Sequence, residues 1–189
     1  YLNQITKGVE GDFFEEGLSA EIDASTLTVR SVEPADEAVV KALVTAAFNQ
    51  ETEARLVHTL RHCGALVLEQ VAVTPEGKVV GHVAYSRVTP AGVGPGQDLS
   101  IVCLAPVSVW PELQRQGIGS ALIRASLDTM KEKGEDLILV LGHPTYYPRF
   151  GFDAELAKKV QAPYAGAAFM ACARADGVGG PALIAGSCK

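Results

Sequence analysis

A chain of 189 residues with 48% hydrophobic and 20% charged content carries enough apolar material for one domain with a substantial core. Its formal net charge of −6 and the lack of a basic stripe argue against nucleic acid as a partner. No apolar run reaches the roughly 18 residues of a membrane span, and the first residues lack a basic-then-apolar leader, so a cytoplasmic setting without membrane contact is expected. Cys63, Cys103, Cys172 and Cys188 show neither metal-finger nor redox spacing, and unpaired thiols are expected in that compartment.

The acidity is concentrated at the start. Residues 1–25 hold Glu10, Asp12, Glu15, Glu16, Glu21 and Asp23 against Lys7, a net −5, which leaves about −1 for the rest. They show no sustained hydrophobic period, and an acidic extension ahead of a domain over 26–189 is expected, with Phe13 and Phe14 as an apolar anchor if the arm docks. Thr26 to Val32 alternates with β-branched residues and reads as a strand. A helix opened by Glu33-Pro34 follows, with Val39, Val40, Leu43, Val44 and Phe48 at helical spacing. A second helix runs from Glu51 to Cys63 on Ala54, Leu56, Val57 and Leu60, and Gly64 can stop it. His58 and His62 stand four apart on it, the spacing of a two-histidine metal site. The residue after His58 is Thr59, where the protease motif has glutamate, so no metal is expected.

Leu66 to Thr74 and Val79 to Val88 are β-branched runs joined by Pro75-Glu76-Gly77-Lys78, which predicts an antiparallel hairpin. Gly81 suits a close backbone approach or a bulge, and His82 is expected to be a partly buried strand residue with one hydrogen-bonded nitrogen. Pro90 to Gln97, rich in glycine and proline, is expected as a loop. Leu99 to Val109 is the next strand. Pro106 within it removes a ladder donor, so the chain should bulge there or its neighbour should diverge.

Gln114-Arg115-Gln116-Gly117-Ile118-Gly119-Ser120 lies between that strand and a helical pattern running to Lys133. Gly117 and Gly119 let backbone approach a bulky group, and the N–H groups of the helix's first turn point outward with the positive end of its dipole. That combination is an anion site, most naturally for phosphate. A Walker loop is excluded, because Leu122 and Ile123 stand where glycine and lysine would be needed. A dinucleotide fingerprint is excluded by Leu122 at its third small position. The helix has Ile118, Ala121, Leu122, Ala125 and Met130 on one face and Arg124, Asp128 and Lys131 outside, and Gly134 ends it. Leu137 to Leu141 is a short buried strand, for which a right-handed parallel crossover is expected. Pro144 can start a short helix carrying Tyr147; a polar stretch follows, then a last strand from Ala167 to Arg174 and a glycine-rich tail from Gly177.

The window from Val107 to Leu122 resembles the acetyl-CoA motif of the GNAT N-acetyltransferases: an apolar strand, x-Pro-x-x, Gln/Arg-x-x-Gly-x-Gly/Ala, then a helix. Gly142-His143-Pro144-Thr145-Tyr146-Tyr147-Pro148-Arg149-Phe150-Gly151-Phe152 resembles the superfamily's later segment, with a tyrosine four residues before Gly-Phe, and is most similar to a YhbS-like bacterial branch. The resemblance implies an α/β (α+β) fold, a mixed central sheet with splayed strands flanked by helices. It implies acetyl-CoA as co-substrate. Pantetheine would pair with the backbone of Val107, Ser108 and Val109, and the pyrophosphate would lie on Gln114, Arg115, Gln116, Gly117, Ile118, Gly119 and Ser120. Tyr147 would touch the thiol and act as general acid, with Tyr146 competing for that role. Phe48, Asn49 and Glu53 would line the acceptor side, and Glu53, Glu69 and Asp98 are candidate bases. The acceptor would be the amine of a small molecule, peptide or protein, and the protein a monomer or homodimer. The alternative is a module that senses acetyl-CoA without turning it over. A hydrolase is disfavoured because Gly119-Ser120-Ala121 lacks the second glycine of a nucleophile elbow.

Overall fold

The computed structural model describes residues 21–89, 99–162, 164, 166–173 and 183–184. The chain runs β1 (Thr28–Ser31), α1 (Glu37–Phe48), α2 (Thr52–His62), β2 (Leu66–Val73), β3 (Val79–Val88), β4 (Ile101–Val109), α3 (Ile118–Lys133), β5 (Leu137–Leu141), α4 (Ala154–Ala157), β6 (Val160–Gln161), β7 (Phe169–Ala173) and β8 (Leu183–Ile184). Six strands form one sheet in the order β1-β2-β3-β4-β5-β7, and β6 pairs with β8 apart from it. Within the six-stranded sheet the β4–β5 pair is parallel and the others are antiparallel. The result is the mixed sheet flanked by helices that the motif resemblance implies.

Local chemistry fixes the segments that position the site. The β2–β3 turn closes with Gly77 N–H donating to Thr74 O at 2.9 Å, and Gly77 supplies the positive φ of +86° that the turn requires. At the start of α1, Arg30 binds both carboxylate oxygens of Asp36, at 2.6 and 3.0 Å, and Glu33 N–H donates to the same carboxylate at 2.8 Å. The Arg30 bonds hold the Asp36 carboxyl below the usual aspartate range; burial opposes them and the Glu33 N–H helps. A lowered folded pKa contributes stability that is fully present above the unfolded value and lost as pH falls through the folded one. Asp36→Asn should therefore lower stability by roughly 1–3 kcal/mol at pH 7. Chemical denaturation at a series of pH values should show this difference shrinking as pH drops below the ordinary aspartate range.

The two sheet faces carry different helices. Gln70, Gly81 and Tyr85 share the face under α3: Tyr85 and Ser126 hydroxyls meet at 2.7 Å, and a Cβ at Gly81 would come within 2.7 Å of Leu122 Cδ1. Gly81 thus provides the close approach expected of it. Glu69 and His82 point to the opposite face, where Arg61 of α2 reaches Glu69, and Arg61 also pairs with Glu37 of α1 at 3.4 Å. The main core combines Val40, Leu43 and Val44 of α1 with Val71, Val83, Leu104, Ile118, Leu122 and Met130; a second cluster joins Ile101, Leu137, Leu139 and Phe169.

Pro106 produces both of the effects expected for it. The β3–β4 register shifts between the Val83–Val107 and Tyr85–Leu104 pairs, and the β4–β5 pairing ends at Leu104–Val140. Beyond that point Ala105 to Val109 continues alongside β3 without β5. Two other features differ from expectation. The polar stretch after Phe152 contains α4, whose N-cap Asp153 accepts from Glu155 N–H at 2.8 Å, and the short helix carrying Tyr147 starts at Tyr147 rather than Pro144. The Pro90–Gln97 loop, the tail from Gly177 apart from β8, Phe13, Phe14, Asp98, Arg174 and Cys188 lie outside the described residues. Among the described residues, Cys63 and Cys172 are free thiols, and no helix is long and apolar enough to cross a membrane.

Candidate functional site

The turn from β4 into α3 is braced from several directions. Trp110 Nε1–H donates to Val79 O at 3.1 Å, which ties the end of β4 to β3. Gln114 Nε2 donates to Val109 O at 3.2 Å, so its amide fastens the turn back on the strand. Arg115 and Gly117 adopt left-handed backbone, with φ of +64° and +88°, and the first α3 ladder bond runs from Ala121 N–H to Gly117 O at 2.9 Å. Ile118, Gly119 and Ser120 N–H therefore belong to the first turn, which has no carbonyl of its own helix to meet. Ile118 is buried and anchors the turn with its side chain; Arg115 and Gly117 are exposed.

Residues 21–25, the described end of the acidic extension, lie against this turn. Ile22 N–H donates to Gln116 Oε1 at 2.7 Å, and a Cβ at Gly117 would lie 3.4 Å from Ala24 Cβ. Gln116 is thereby engaged through its side chain.

Facing the turn is the segment after β5. The Tyr146 hydroxyl lies 3.3 Å from Ser120 Oγ and would lie 3.2 Å from a Cβ at Gly119; Val109 and Val107 methyls flank the same point at 3.8 and 4.0 Å. Val107 and Val109 thus border the start of α3, whereas Ser108, between them, points to the other face. The Tyr147 ring covers Gly142, whose Cβ would overlap it, and meets Phe152 edge-on at 5.6 Å. Burial pushes the Tyr147 phenol up to about 12, and Tyr146 and Cys103 of β4 add to the shift. A phenol in that state keeps its proton at neutral pH. Arg149 stacks over Tyr146 at 4.8 Å and Arg124 over Phe150 at 5.2 Å. Both guanidinium groups line a groove of about 470 Å³ that runs beside α3, floored by Ile138 and Cys172.

Two strands that part company, a helix N-terminus opening onto the parting, and a half-buried phenol on its far side make a slot for an extended ligand ending in phosphate. Residues 28–154 match the acetyltransferase (GNAT) domain family. The chain belongs to the GNAT acetyltransferases. GNAT relatives include the uncharacterized N-acetyltransferase YhbS of Escherichia coli K12, 38% identical over 127 residues, which are 67% of this chain and 74% of YhbS. YjhQ of the same strain, also an uncharacterized N-acetyltransferase, is 35% identical over 146 residues, covering 72% of this chain and 76% of YjhQ. The crystal structure of E. coli YhbS in complex with CoA superposes with a TM-score of 0.75 at 32% identity, over 85% of this chain and 88% of that one. A GNAT acetyltransferase from Brucella melitensis in complex with acetyl-CoA gives 0.67 at 31% identity, over 83% and 94%.

Within this GNAT fold, the other residues singled out from sequence divide. Phe48 is 39% exposed and Asn49 takes a left-handed φ of +54° at the α1–α2 junction; Gln50 donates to Glu53 Oε1 at 2.9 Å, while Glu53 Oε2 is buried without a hydrogen-bond partner. His58 and His62 stack on each other at 4.0 Å, with His62 Nδ1 2.9 Å from His58 O. His82 departs from expectation: it is fully buried, because Glu69 supplies its Nε2 with a carboxylate at 2.8 Å. The Tyr146–Ser120 contact and the two stacked arginines were not anticipated. Their only trace in the sequence is the aromatic and basic density of Tyr146 to Phe150.

Proposed function

We propose that the protein transfers the acetyl group of acetyl-CoA to an amine by direct attack. The observation that carries this reading is the α3 N-terminus opening on Ala105 to Val109, where β4 has left β5; relatives of the same fold crystallised with CoA and with acetyl-CoA support it. The pyrophosphate lies on the backbone N–H groups from Gln116 to Ser120, with the Arg115 charge and the Ser120 hydroxyl beside it. Pantetheine lies along Val107, Ser108 and Val109 as an added strand would. A backbone N–H at Val107 polarises the acetyl carbonyl, and its effect grows as charge develops on oxygen in the tetrahedral intermediate. The neutral amine forms the C–N bond, the C–S bond breaks, and Tyr147 gives its proton to the departing thiolate; the nitrogen sheds its extra proton, which restores the phenol through solvent. Acetyl-CoA as donor favours a cytoplasmic setting.

The groove holding Arg124 and Arg149 offers counter-charge to the 3′-phosphate end of the cofactor. The double variant Arg124→Glu, Arg149→Glu should weaken acetyl-CoA binding by about tenfold or more, the size of a lost charge-assisted phosphate contact. Dephospho-CoA, titrated in parallel by calorimetry, should lose much less. The reaction itself is tested by thiol release from acetyl-CoA against a panel of small amines, peptides and lysine-bearing proteins. Release with at least one acceptor supports the transferase. Tight binding without release across the panel favours a sensor.

A further inference from the structure

His82 and Ser108 are direct cross-strand partners on β3 and β4, both on the α1–α2 face of the sheet, 0% and 2% exposed. Each holds a buried polar atom without a hydrogen-bond partner: His82 Nδ1 and Ser108 Oγ. Buried polar groups are almost always satisfied, so two orphans on directly paired residues call for an explanation. Cβ atoms of such a pair stand about 4.5–5.5 Å apart, which puts Oγ and Nδ1 within reach of each other through one hydroxyl rotation or a single bridging water.

The other imidazole nitrogen is fully engaged. His82 Nε2 lies 2.8 Å from Glu69 Oε1, and Arg61 grips the same carboxylate, with Nη2 at 2.7 Å from Oε1 and Nε at 3.0 Å from Oε2. Burial alone would raise the Glu69 pKa; the hydrogen bonds from His82 and Arg61 overcome it and hold the carboxyl below the usual glutamate range. A carboxylate can only accept, so the neutral ring carries its proton on Nε2 and presents a lone pair at Nδ1. The charged groups around His82 are Glu69 from β2, Arg61 from α2 and, through Arg61, Glu37 from α1; β4 contributes the neutral Ser108.

Ser108 belongs to the stretch of β4 that has left β5, between Val107 and Val109, which border the α3 N-terminus. Its side chain leaves the strand on the face opposite α3, so a cofactor lying by α3 and a proton path through Ser108 occupy different faces of one strand. We propose that His82, positioned by Glu69, is the proton acceptor for the incoming amine, reached through the Ser108 hydroxyl. This rests on the acetyl-transfer reading above. An N–H bond of the substrate ammonium breaks, its electron pair stays on nitrogen, and the proton passes through Ser108 to Nδ1. The imidazolium so formed is balanced by the Glu69 carboxylate, and the freed amine attacks the thioester. The proton returns to solvent after product leaves.

Long-range 1H–15N spectra of protein labelled at its histidines test the geometry without any acceptor. His82 is assigned by the signal lost in His82→Gln, whose amide N–H can still donate to Glu69. The expected result is the Nε2–H tautomer, with an Nδ1 resonance that moves in Ser108→Ala while His58, His62 and His143 do not. An Nδ1–H tautomer, a ring carrying both protons from pH 6 to 9, or no response to Ser108→Ala would overturn the proposal. With an amine that gives thiol release, His82→Gln should lower kcat about 100-fold. Its acetyl-CoA Kd should stay within twofold, and the loss should diminish as pH rises toward the amine's own pKa, where free amine needs no base. A purely structural role gives no such recovery. Unaltered kcat at every pH in a variant that binds acetyl-CoA would sink this relay and leave the transferase standing; failure of the unaltered protein to bind acetyl-CoA would remove the parent reading.

Discussion

Gly117→Glu is expected to abolish measurable acetyl-CoA binding, a loss of at least about 100-fold in Kd. Three effects act in the same direction. The backbone sits at φ +88°, which costs a side-chain-bearing residue roughly 1–2 kcal/mol. The new Cβ stands 3.4 Å from Ala24, so the longer side chain is directed away from that contact and toward the open mouth of the turn. Its carboxylate then lies beside the pyrophosphate, where like charges in a partly desolvated site repel by several kcal/mol. Gly117→Ala separates the contributions: it keeps the backbone strain without the charge and should lose only a few-fold. Calorimetry on the two variants reads the difference, and full affinity in Gly117→Glu would remove the phosphate from this turn.

Tyr147→Phe should lower kcat by about 100-fold while acetyl-CoA Kd changes less than twofold. The phenol is held under Gly142 and Phe152, and burial pushes it up to about 12, so it keeps its proton through the neutral range and releases it only to a stronger base such as the nascent thiolate. The sign follows for pH: ionisation of Tyr147 should not limit kcat below about pH 11, so an alkaline limb seen earlier in the wild-type profile belongs to another group. Tyr146→Phe is the matched control. Its hydroxyl lies against Ser120 at the α3 N-terminus, and its loss should appear in Kd rather than in kcat. The reverse pattern would exchange the roles of the two tyrosines.

The elements that position this site are those whose sequence carries strong local punctuation. β3 and β5 have the bounds that their apolar runs predict, because Gly77-Lys78 and Gly134 stop the preceding elements sharply. Pro106 was legible as a disruption because a missing ladder donor acts on its own strand. What the sequence hid depends on partners far along the chain. Ser126 sits in the core of α3 because Tyr85, 41 residues away, needs its hydroxyl, so an apolar-face count passes over it. Gln116 meets Ile22 across 94 residues, which makes the end of the acidic extension part of the turn's surroundings. His82 was expected to be half-buried, as a lone strand histidine would be. Full burial required Glu69 from a neighbouring strand and Arg61 from a helix, and no spacing rule joins those three. α4 escaped because four residues are too short to show a helical period.

A crystal structure of the acetyl-CoA complex decides whether the cofactor lies at the start of α3. Pyrophosphate density is expected on the N–H groups of Gln116 to Ser120, pantetheine between Ala105–Val109 and the end of β5, and the sulfur within hydrogen-bond reach of the Tyr147 hydroxyl. Cofactor density elsewhere, with the gap between β4 and β5 left unfilled at saturating acetyl-CoA, would contradict that placement.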